Sequence, residues 1–548
     1  MPTSSSASRA SSSSRSDVSP TRTGSSATTA PEVAPPAPPG PAPEAPASRP
    51  SWFRARTAIW KRLTLALGAG ILAGFCFPPY DLGPVIVVAL AGLLWTWRGA
   101  RARHAALYGF AFGVGCYGVV LEWARYFGTV AIVPFVGTMA AYVALAGAVV
   151  ALLAARRVSS PWLTAAIWVV MEGCRGRFPV GGFAWADNGI ALHDLAAARA
   201  VASFGGVPLV SFVCVAAAGF LLDLAIALRA GASRSRVLAV AGLAGMIAIA
   251  LLANVARYQP TETGHLRVAM LQGDDRELSL AGQQRQLLTG AHLALAARLR
   301  GHYDLIVFPE SALDTDPQLD PDLRGHLTAL AREHSSSILV NARTPAGDDE
   351  EYNSNILYGP DGRYEGTYSK QHLVPFGEYV PWREELGFIG QLREIPYDFK
   401  AGNGTKIFRV AGHPIGTVIC FESAFAPLVR EYVRQGAQAI VVSTSNRSYH
   451  RSGNAEQHLA NSQMRAAETA RPVLQAAVSG ISAVIDPDGT VHDTTKLFQQ
   501  DIVTASIATT TGETPFVRLG DWIVYVSALG VAVAAVVAVR RRGARARP

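Results

Sequence analysis

The sequence predicts a multi-pass α-helical membrane bundle joined to an extracytoplasmic, layered α/β domain. Three observations carry this expectation. Seven apolar runs precede residue 254 and an eighth follows residue 521. The loops between them alternate, with every loop on one side basic. The stretch from about 265 to 508 instead alternates short apolar strands with amphipathic helices, the order expected of a layered α/β domain.

Residues 1–58 come first, and up to about residue 50 they are nearly all Ser, Ala, Thr, Pro and Arg. Such a stretch cannot bury a core and is expected to be a disordered cytoplasmic tail with no specific role. It lacks an apolar segment followed by a small-residue cleavage site, so it does not read as a cleavable signal peptide.

Residues 59–258 are expected to form a bundle of seven helices. The apolar runs lie near 63–77, 83–97, 105–120, 130–154, 161–171, 207–228 and 237–253, and the eighth near 522–539. A span takes about 20 apolar residues, so the first, second and fifth runs are short. Pro78-Pro79 fits a tight turn between the first two helices. One long kinked helix, or a re-entrant pair, is the alternative. Loop charge favours eight spans. One side then carries the tail, 98–103, 156–157, 229–236 and 540–547, all basic, whereas the other carries 80–82, 125–129, 172–206 and 254–521. Basic loops stay in the cytoplasm, which puts both termini inside and the α/β domain outside. Arg175 and Arg177, on the outer side, run against this. Glu172, at the end of a membrane run, is costly in lipid and reads as a functional residue or an interfacial partner of Arg175. Asp223, inside the sixth run, lies one or two turns from a basic loop.

Composition agrees with a membrane protein. The chain is 49% hydrophobic and 16% charged, low in charge for a soluble protein. Its net charge of +8 is then a topology signal. No nucleic-acid motif accompanies it, and nucleic acid is not an expected partner.

The domain at 264–508 is expected to hold strands at 265–271, 305–308, 337–341, 356–358, 417–420, 439–443, 472–478 and 482–486. Helices are expected at 281–299, 323–333 and 455–470. The remaining segment, 509–548, supplies the eighth helix and a basic cytoplasmic tail. Of the five cysteines, Cys76, Cys116, Cys174 and Cys214 lie in apolar segments, where cysteine acts as a small hydrophobe. They show neither disulfide nor metal-ligand spacing, and no metal or cofactor is expected.

Cys420 differs. It ends the apolar run Gly416-Thr417-Val418-Ile419 and opens Phe421-Glu422-Ser423. Two earlier segments share this build: Leu305-Ile306-Val307-Phe308-Pro309 runs into Glu310, and Tyr368-Ser369 into Lys370. Each reads as a buried strand delivering one reactive group to a sheet edge. Taken singly they are an inert core cysteine, a turn carboxylate and a solvated ammonium. Together they suggest a nucleophile, a base and an electrostatic stabiliser. A thiol is mostly protonated at neutral pH and needs such help.

Glu310, Lys370 and Cys420 resemble the Glu-Lys-Cys triad of the nitrilase superfamily. From about residue 60 to 540 the chain resembles the apolipoprotein N-acyltransferase family, with 370–381 as its lysine loop. Gln457-His458-Leu459, 464–469 and 480–489 resemble later family segments. The resemblance implies a four-layer αββα sandwich in the bacterial inner membrane, acting as a monomer. It implies ping-pong acyl transfer from a glycerophospholipid donor to the diacylglyceryl-cysteine of an apolipoprotein, with the bilayer itself as a partner. Glu378 and Glu422 match acidic positions that support the triad, and Phe421, Asn446 and Tyr449 match substrate-binding positions. Three departures stand out. Phe421 replaces a common Tyr, Ser445-Asn446-Arg447-Ser448-Tyr449 stands where many members have Ser-Asn-Asp-Ala-Trp, and Gly273-Asp274 replaces a usual Gly-Asn. A membrane-anchored carbon–nitrogen hydrolase and a non-catalytic lipid-binding scaffold are the other readings.

Overall fold

Apolar runs without internal charge become helices, because only a helix satisfies its own backbone away from water. The computed structural model describes residues 51–274, 281–347, 350–386 and 398–545; the expectation for the N-terminal tail concerns residues almost wholly outside these. Helices cover all eight runs: α1 (Ser51–Gly74), α2 (Ile86–Trp97), α3 (Ala102–Val120), α4 (Thr129–Ala154), α5 (Pro161–Arg175), α6 (Ala196–Arg229), α7 (Ser233–Val255) and, at the C-terminal end, α14 (Trp522–Arg545). Among the described residues, four stretches, within α4, α6, α7 and α14, are long and apolar enough to cross a membrane. α2 and α5, with 12 and 15 residues, reach only about 18–22 Å at 1.5 Å per residue.

Between α1 and α2 the chain turns at Pro78-Pro79, so the first two runs are two helices and not one. The N–H groups of Tyr80 and Asp81 both donate to the Phe77 carbonyl across this turn. α6 is broken where Gly205 and Gly206 leave helical geometry. Gly206 has φ +69°, and a β-carbon there would lie 2.6 Å from the Phe516 ring, so only glycine lets the break pack. Glu172 accepts from the Trp168 indole at 2.9 Å and the Asn188 N–H at 2.8 Å. Arg175 turns instead to Asp187 and to the Tyr117 hydroxyl. Asp223 pairs with Arg98 at 3.0 Å.

The α/β domain is two six-stranded sheets. The first has the order β12-β1-β2-β3-β4-β5 and the second β11-β10-β9-β8-β7-β6. The strands are β1 (Thr261–Gln272), β2 (Leu305–Val307), β3 (Ser337–Pro345), β4 (Glu351–Tyr358), β5 (Tyr364–Ser369), β6 (Phe408–Val410), β7 (His413–Ile419), β8 (Ala439–Thr444), β9 (Val473–Ala477), β10 (Ala483–Ile485), β11 (Val491–His492) and β12 (Asp501–Thr511). Between them lie α8 (Ala281–Ala296), α9 (Pro321–His334), the one-turn α10 (Arg383–Leu386), α11 (Ala426–Arg434), α12 (Asn454–Thr469) and α13 (Pro515–Leu519).

Period-two alternation sorts the strand residues between layers. Val268, Met270, Val307, Leu339 and Leu357 of the first sheet share a core with Val418, Val441 and Leu474 of the second. Their neighbours Ala269, Ile306, Ile338, Val340 and Ile356 face the other way, onto Leu295 of α8 and Leu323, Leu327 and Leu330 of α9. The second sheet is covered by α11 and α12, giving the αββα sandwich. β12, the eleven-residue edge strand, pairs antiparallel with β1 from Thr261↔Thr511 to Gln272↔Asp501. The sequence reading stops at 264 and 508 and omits this strand, because its Thr, Ser and Ala residues form no apolar run.

One amide docks the domain on the bundle. Gln457 Oε1 accepts from the indoles of Trp123 at 3.1 Å and Trp185 at 2.8 Å. Its Nε2 donates to the carbonyls of Pro78 at 3.1 Å and Val120 at 2.9 Å. Nearby, Glu468 of α12 accepts the Val207 N–H at 2.7 Å, capping the half of α6 that restarts after its glycine break. Gln457→Leu is expected to lower the thermal midpoint of the detergent-solubilised protein. Each of the four groups left without a replacement partner costs about 1–3 kcal/mol. A midpoint equal to that of wild type would remove this amide from the docking contacts.

Candidate active site

Three strand ends converge. β2 carries Glu310 three residues past its end, β5 carries Lys370 directly, and β7 carries Cys420 directly. Lys370 adds one further rung to its sheet, its N–H donating to the Asn353 carbonyl at 2.8 Å. Cys420 leaves β7 with φ +53°, a left-handed conformation that costs a non-glycine residue about 1–3 kcal/mol. Two contacts hold it there. The Glu422 carboxylate accepts the Ile419 N–H at 2.8 Å, and the His458 ring donates from Nε2 to the Cys420 carbonyl at 2.9 Å.

Lys370 is 1% exposed, with Nζ 2.8 Å from Glu378 Oε1 and 3.5 Å from Glu310 Oε1. Burial pulls its ammonium downward, but Glu378, Glu310 and neighbouring Cys420 outweigh burial and hold it well above the ordinary lysine range. Burial pushes the Cys420 thiol up to about 12; Glu310 adds to this, while Lys370 and a hydrogen bond with the Thr444 side chain oppose it. Burial outweighs the single nearby ammonium, so the thiol keeps its proton at rest. A reaction through sulfur here needs the proton taken as the bond forms.

The sequence-predicted residues separate into three groups. Glu310, Lys370, Cys420 and Glu378 meet. Glu422 makes no ion pair with the ammonium among the described residues, though it lies within reach of its charge. It is wholly buried and accepts from the Tyr368 hydroxyl at 2.9 Å, the Gln371 N–H at 2.7 Å and the His372 N–H at 3.1 Å. It therefore ties the cysteine turn to the lysine loop. Phe421 and Tyr449 belong to an aromatic wall. Phe421 packs on Phe183 at 5.7 Å and Trp185 at 6.2 Å, and Tyr449 packs on Trp123 at 5.1 Å and Phe127 at 5.7 Å between ring centroids. Asn446, expected to face substrate, is buried, and its amide is engaged by Asn454 at 2.8 Å and by the Thr444 hydroxyl at 3.2 Å. It braces the scaffold behind Cys420.

Sequence reasoning missed Thr444, His458 as a brace for Cys420, and a buried trio of asparagines. Asn341 on β3 bonds Asn353 at 2.9 Å and Asn355 at 3.0 Å on β4. The available signal was polar alternation, Asn353-Ser354-Asn355, inside a buried strand. Burial turns His458 down to about 4, which leaves its ring neutral.

Comparison with known proteins gives the lineage. The family model described as apolipoprotein N-acyltransferase N-terminal domain matches residues 69–220, and that described as carbon-nitrogen hydrolase matches residues 267–516. An apolipoprotein N-acyltransferase of Geobacter metallireducens is 30% identical over 504 residues, covering 87% of this chain and 95% of its own. The chain belongs to the apolipoprotein N-acyltransferase family. A second member, from Nitrosomonas europaea, is 30% identical over 492 residues, with 85% and 95% covered. Among solved structures, an amidase from Nesterenkonia sp. AN1 is similar over 44% of this chain and 92% of its own, at 17% identity and a TM-score of 0.33.

This acyltransferase-family site carries an electrostatic signature that alkylation of Cys420 reads directly. Because the thiol is held near 12, its rate of reaction with iodoacetamide is expected to keep rising above pH 9, past the ordinary thiol value of about 8.5. Lys370→Met removes a positive charge that favours the thiolate, so the rise moves to still higher pH. An unchanged profile in that variant would mean the ammonium does not act on the thiol.

Proposed function

We propose that this protein transfers a fatty acyl chain from a glycerophospholipid, through a thioester on Cys420, to the N-terminal α-amine of a diacylglyceryl-cysteine on an apolipoprotein. One observation carries the reading beyond family membership: the nucleophile's aromatic wall is shared with the membrane bundle. Phe421 beside the thiol stacks on Phe183, which meets Phe135 of α4 at 4.7 Å. An apolar path thus joins the thiol to helices long enough to cross a membrane. A water-soluble amide would have no use for it, whereas an acyl chain would lose little by leaving lipid for it. In this reading Phe421 and Tyr449 contact the acyl chain.

The chemistry follows from the charges. As Cys420 Sγ attacks the ester carbonyl, its proton passes to Glu310. The oxyanion gathers at the Lys370 ammonium, which Glu378 keeps in place. Collapse expels the lysophospholipid oxygen, which takes the proton back from Glu310 and leaves a thioester. The incoming amine attacks that thioester, gives a proton to Glu310, and the amide forms as the sulfur departs and is reprotonated. One chain contains every group invoked, and a monomer is the acting unit.

All eight helices are taken to span the cytoplasmic membrane, with the α/β domain outside, where an exported lipoprotein presents its amine. The five basic segments on the opposite side support this, since an arginine at mid-bilayer costs about 2.5–3.5 kcal/mol. Alkaline phosphatase fused after Gly264 is expected to be active. An engineered cysteine within 287–296 should react with an impermeant label in intact cells. Labelling only after cell breakage would favour a cytoplasmic amidase.

The reaction itself is tested by mass spectrometry. Incubation with phospholipid alone is expected to leave a hydroxylamine-labile acyl group on Cys420, and Cys420→Ala and Cys420→Ser should both abolish transfer. Glu310→Gln should block both half-reactions. Lys370→Ala should lose about 10²–10³ in rate, the usual consequence of removing one oxyanion donor, and Lys370→Arg should not restore it fully. Acyl release as free acid with no amide product would indicate a hydrolase. Full activity in Cys420→Ala would refute the nucleophile.

A further inference from the structure

The asparagines behind the site form a directed chain whose sense is set by one backbone donor. The Ser311 N–H donates to Asn341 Oδ1 at 2.7 Å, so the Asn341 side chain must present its NH2 group in the other direction. That group reaches Asn353 Oδ1 and Asn355 Oδ1. Asn355 passes its own NH2 across to the second sheet, to Thr417 Oγ1 at 2.6 Å and Ser443 Oγ at 3.2 Å. Asn353 is left with one orientation. Its Nδ2 donates to Glu310 Oε1 at 2.9 Å and to Glu378 Oε1 at 3.1 Å. A flipped amide would set its oxygen against two carboxylates and its NH2 against another NH2, so the network excludes it.

The same two oxygens face Lys370. Glu310 Oε1 therefore has the ammonium and an amide N–H on it, while Glu310 Oε2 has no hydrogen bond among the described residues. Asn353 and Glu310 are each 6% exposed, so little water reaches Glu310 as a substitute for the amide donor.

We infer that Asn353 is a positioning residue that loads Oε1 of Glu310 and thereby selects Oε2 as the atom that takes the Cys420 proton. It rests on Glu310 acting as the base, as proposed above. Asn353 also joins Glu310 to Glu378 through one planar group, so the two acids that flank Lys370 keep a fixed spacing. A buried carboxylate that loses a donor holds a proton more readily. Removal of Asn353 thus narrows the pH range in which the base is available, an effect that simple loosening of the fold does not produce.

The test is the pH dependence of Cys420 alkylation by iodoacetamide in the full-length, detergent-solubilised protein, followed by mass spectrometry of the Cys420 peptide. This readout involves neither lipid nor lipoprotein, so it stands apart from the acyl-transfer reading. Asn353→Ala is expected to slow alkylation at neutral pH by roughly ten- to hundredfold and to move the acid limb up by about one to two pH units, as for a lost hydrogen bond to a charged group. Asn353→Ser, which keeps one donor, should fall between. Asn355→Ala, in the same network but touching no carboxylate, should lower the thermal midpoint and leave the acid limb in place. If folded Asn353→Ala or Asn353→Ser keeps the wild-type limb and rate, the assignment is wrong. If Asn353→Ala fails to fold, the shift in Asn353→Ser decides. An unmoved limb together with lost acyl transfer also overturns it, because the effect then lies with substrate.

Discussion

A single buried ammonium organises the α/β half of this protein. Lys370 is sealed from water and met by two carboxylates at 2.8 and 3.5 Å. An unpaired charge so placed would be untenable. The cluster persists because each member solves a problem for the others: Lys370 lets Glu310 and Glu378 sit close together, and they keep it charged. Asn353 supplies the donor that the ammonium cannot. Burial first, and Glu310 second, hold the neighbouring thiol in its protonated form against the pull of Lys370. In the proposed reaction such a site moves one proton repeatedly and stores no thiolate.

Backbone geometry makes that cluster possible. Glu310 and Lys370 come from the first sheet and Cys420 from the second, so the site exists only where the two sheets face each other. Asn355 stitches the sheets across the core, bonding Thr417 three residues before Cys420. Glu422 ties the cysteine turn to the lysine loop through backbone N–H groups. A buried carboxylate satisfied entirely by backbone and a phenol is a rigid joint, and it fixes where the sulfur points.

Docking on the bundle uses the same economy. Gln457 satisfies two indoles and two carbonyls from segments that leave four unpaired groups otherwise. Glu468 caps a helix broken by glycine. These polar contacts are directional, so the domain has one seat on the bundle. That seat brings Phe183 and Trp185, from beyond α5, against Phe421 beside Cys420.

Much of this was legible in the residues. The eight helices, the layered domain and the three strand ends carrying Glu310, Lys370 and Cys420 follow from apolar runs and what terminates them, because burial of a backbone demands local regularity. Local regularity is what a sequence records. β12 was invisible because an edge strand of Thr, Ser and Ala buries too little to leave a periodic mark. The roles of Glu422, Asn446 and Asn353 were equally hidden. A carboxylate or an amide acts through the partners it meets, and these lie 12 positions away for Asn353–Asn341, 43 for Asn353–Glu310 and 54 for Glu422–Tyr368. Gln457 bonds across more than 330 positions to Val120 and Trp123. The sequence by itself determined which groups the protein owns and which strand end presents each. Only the tertiary structure decided which of them pair at the site, which merely brace, and which join the bundle to it, because hydrogen bonds are set by angles and distances that no linear spacing encodes.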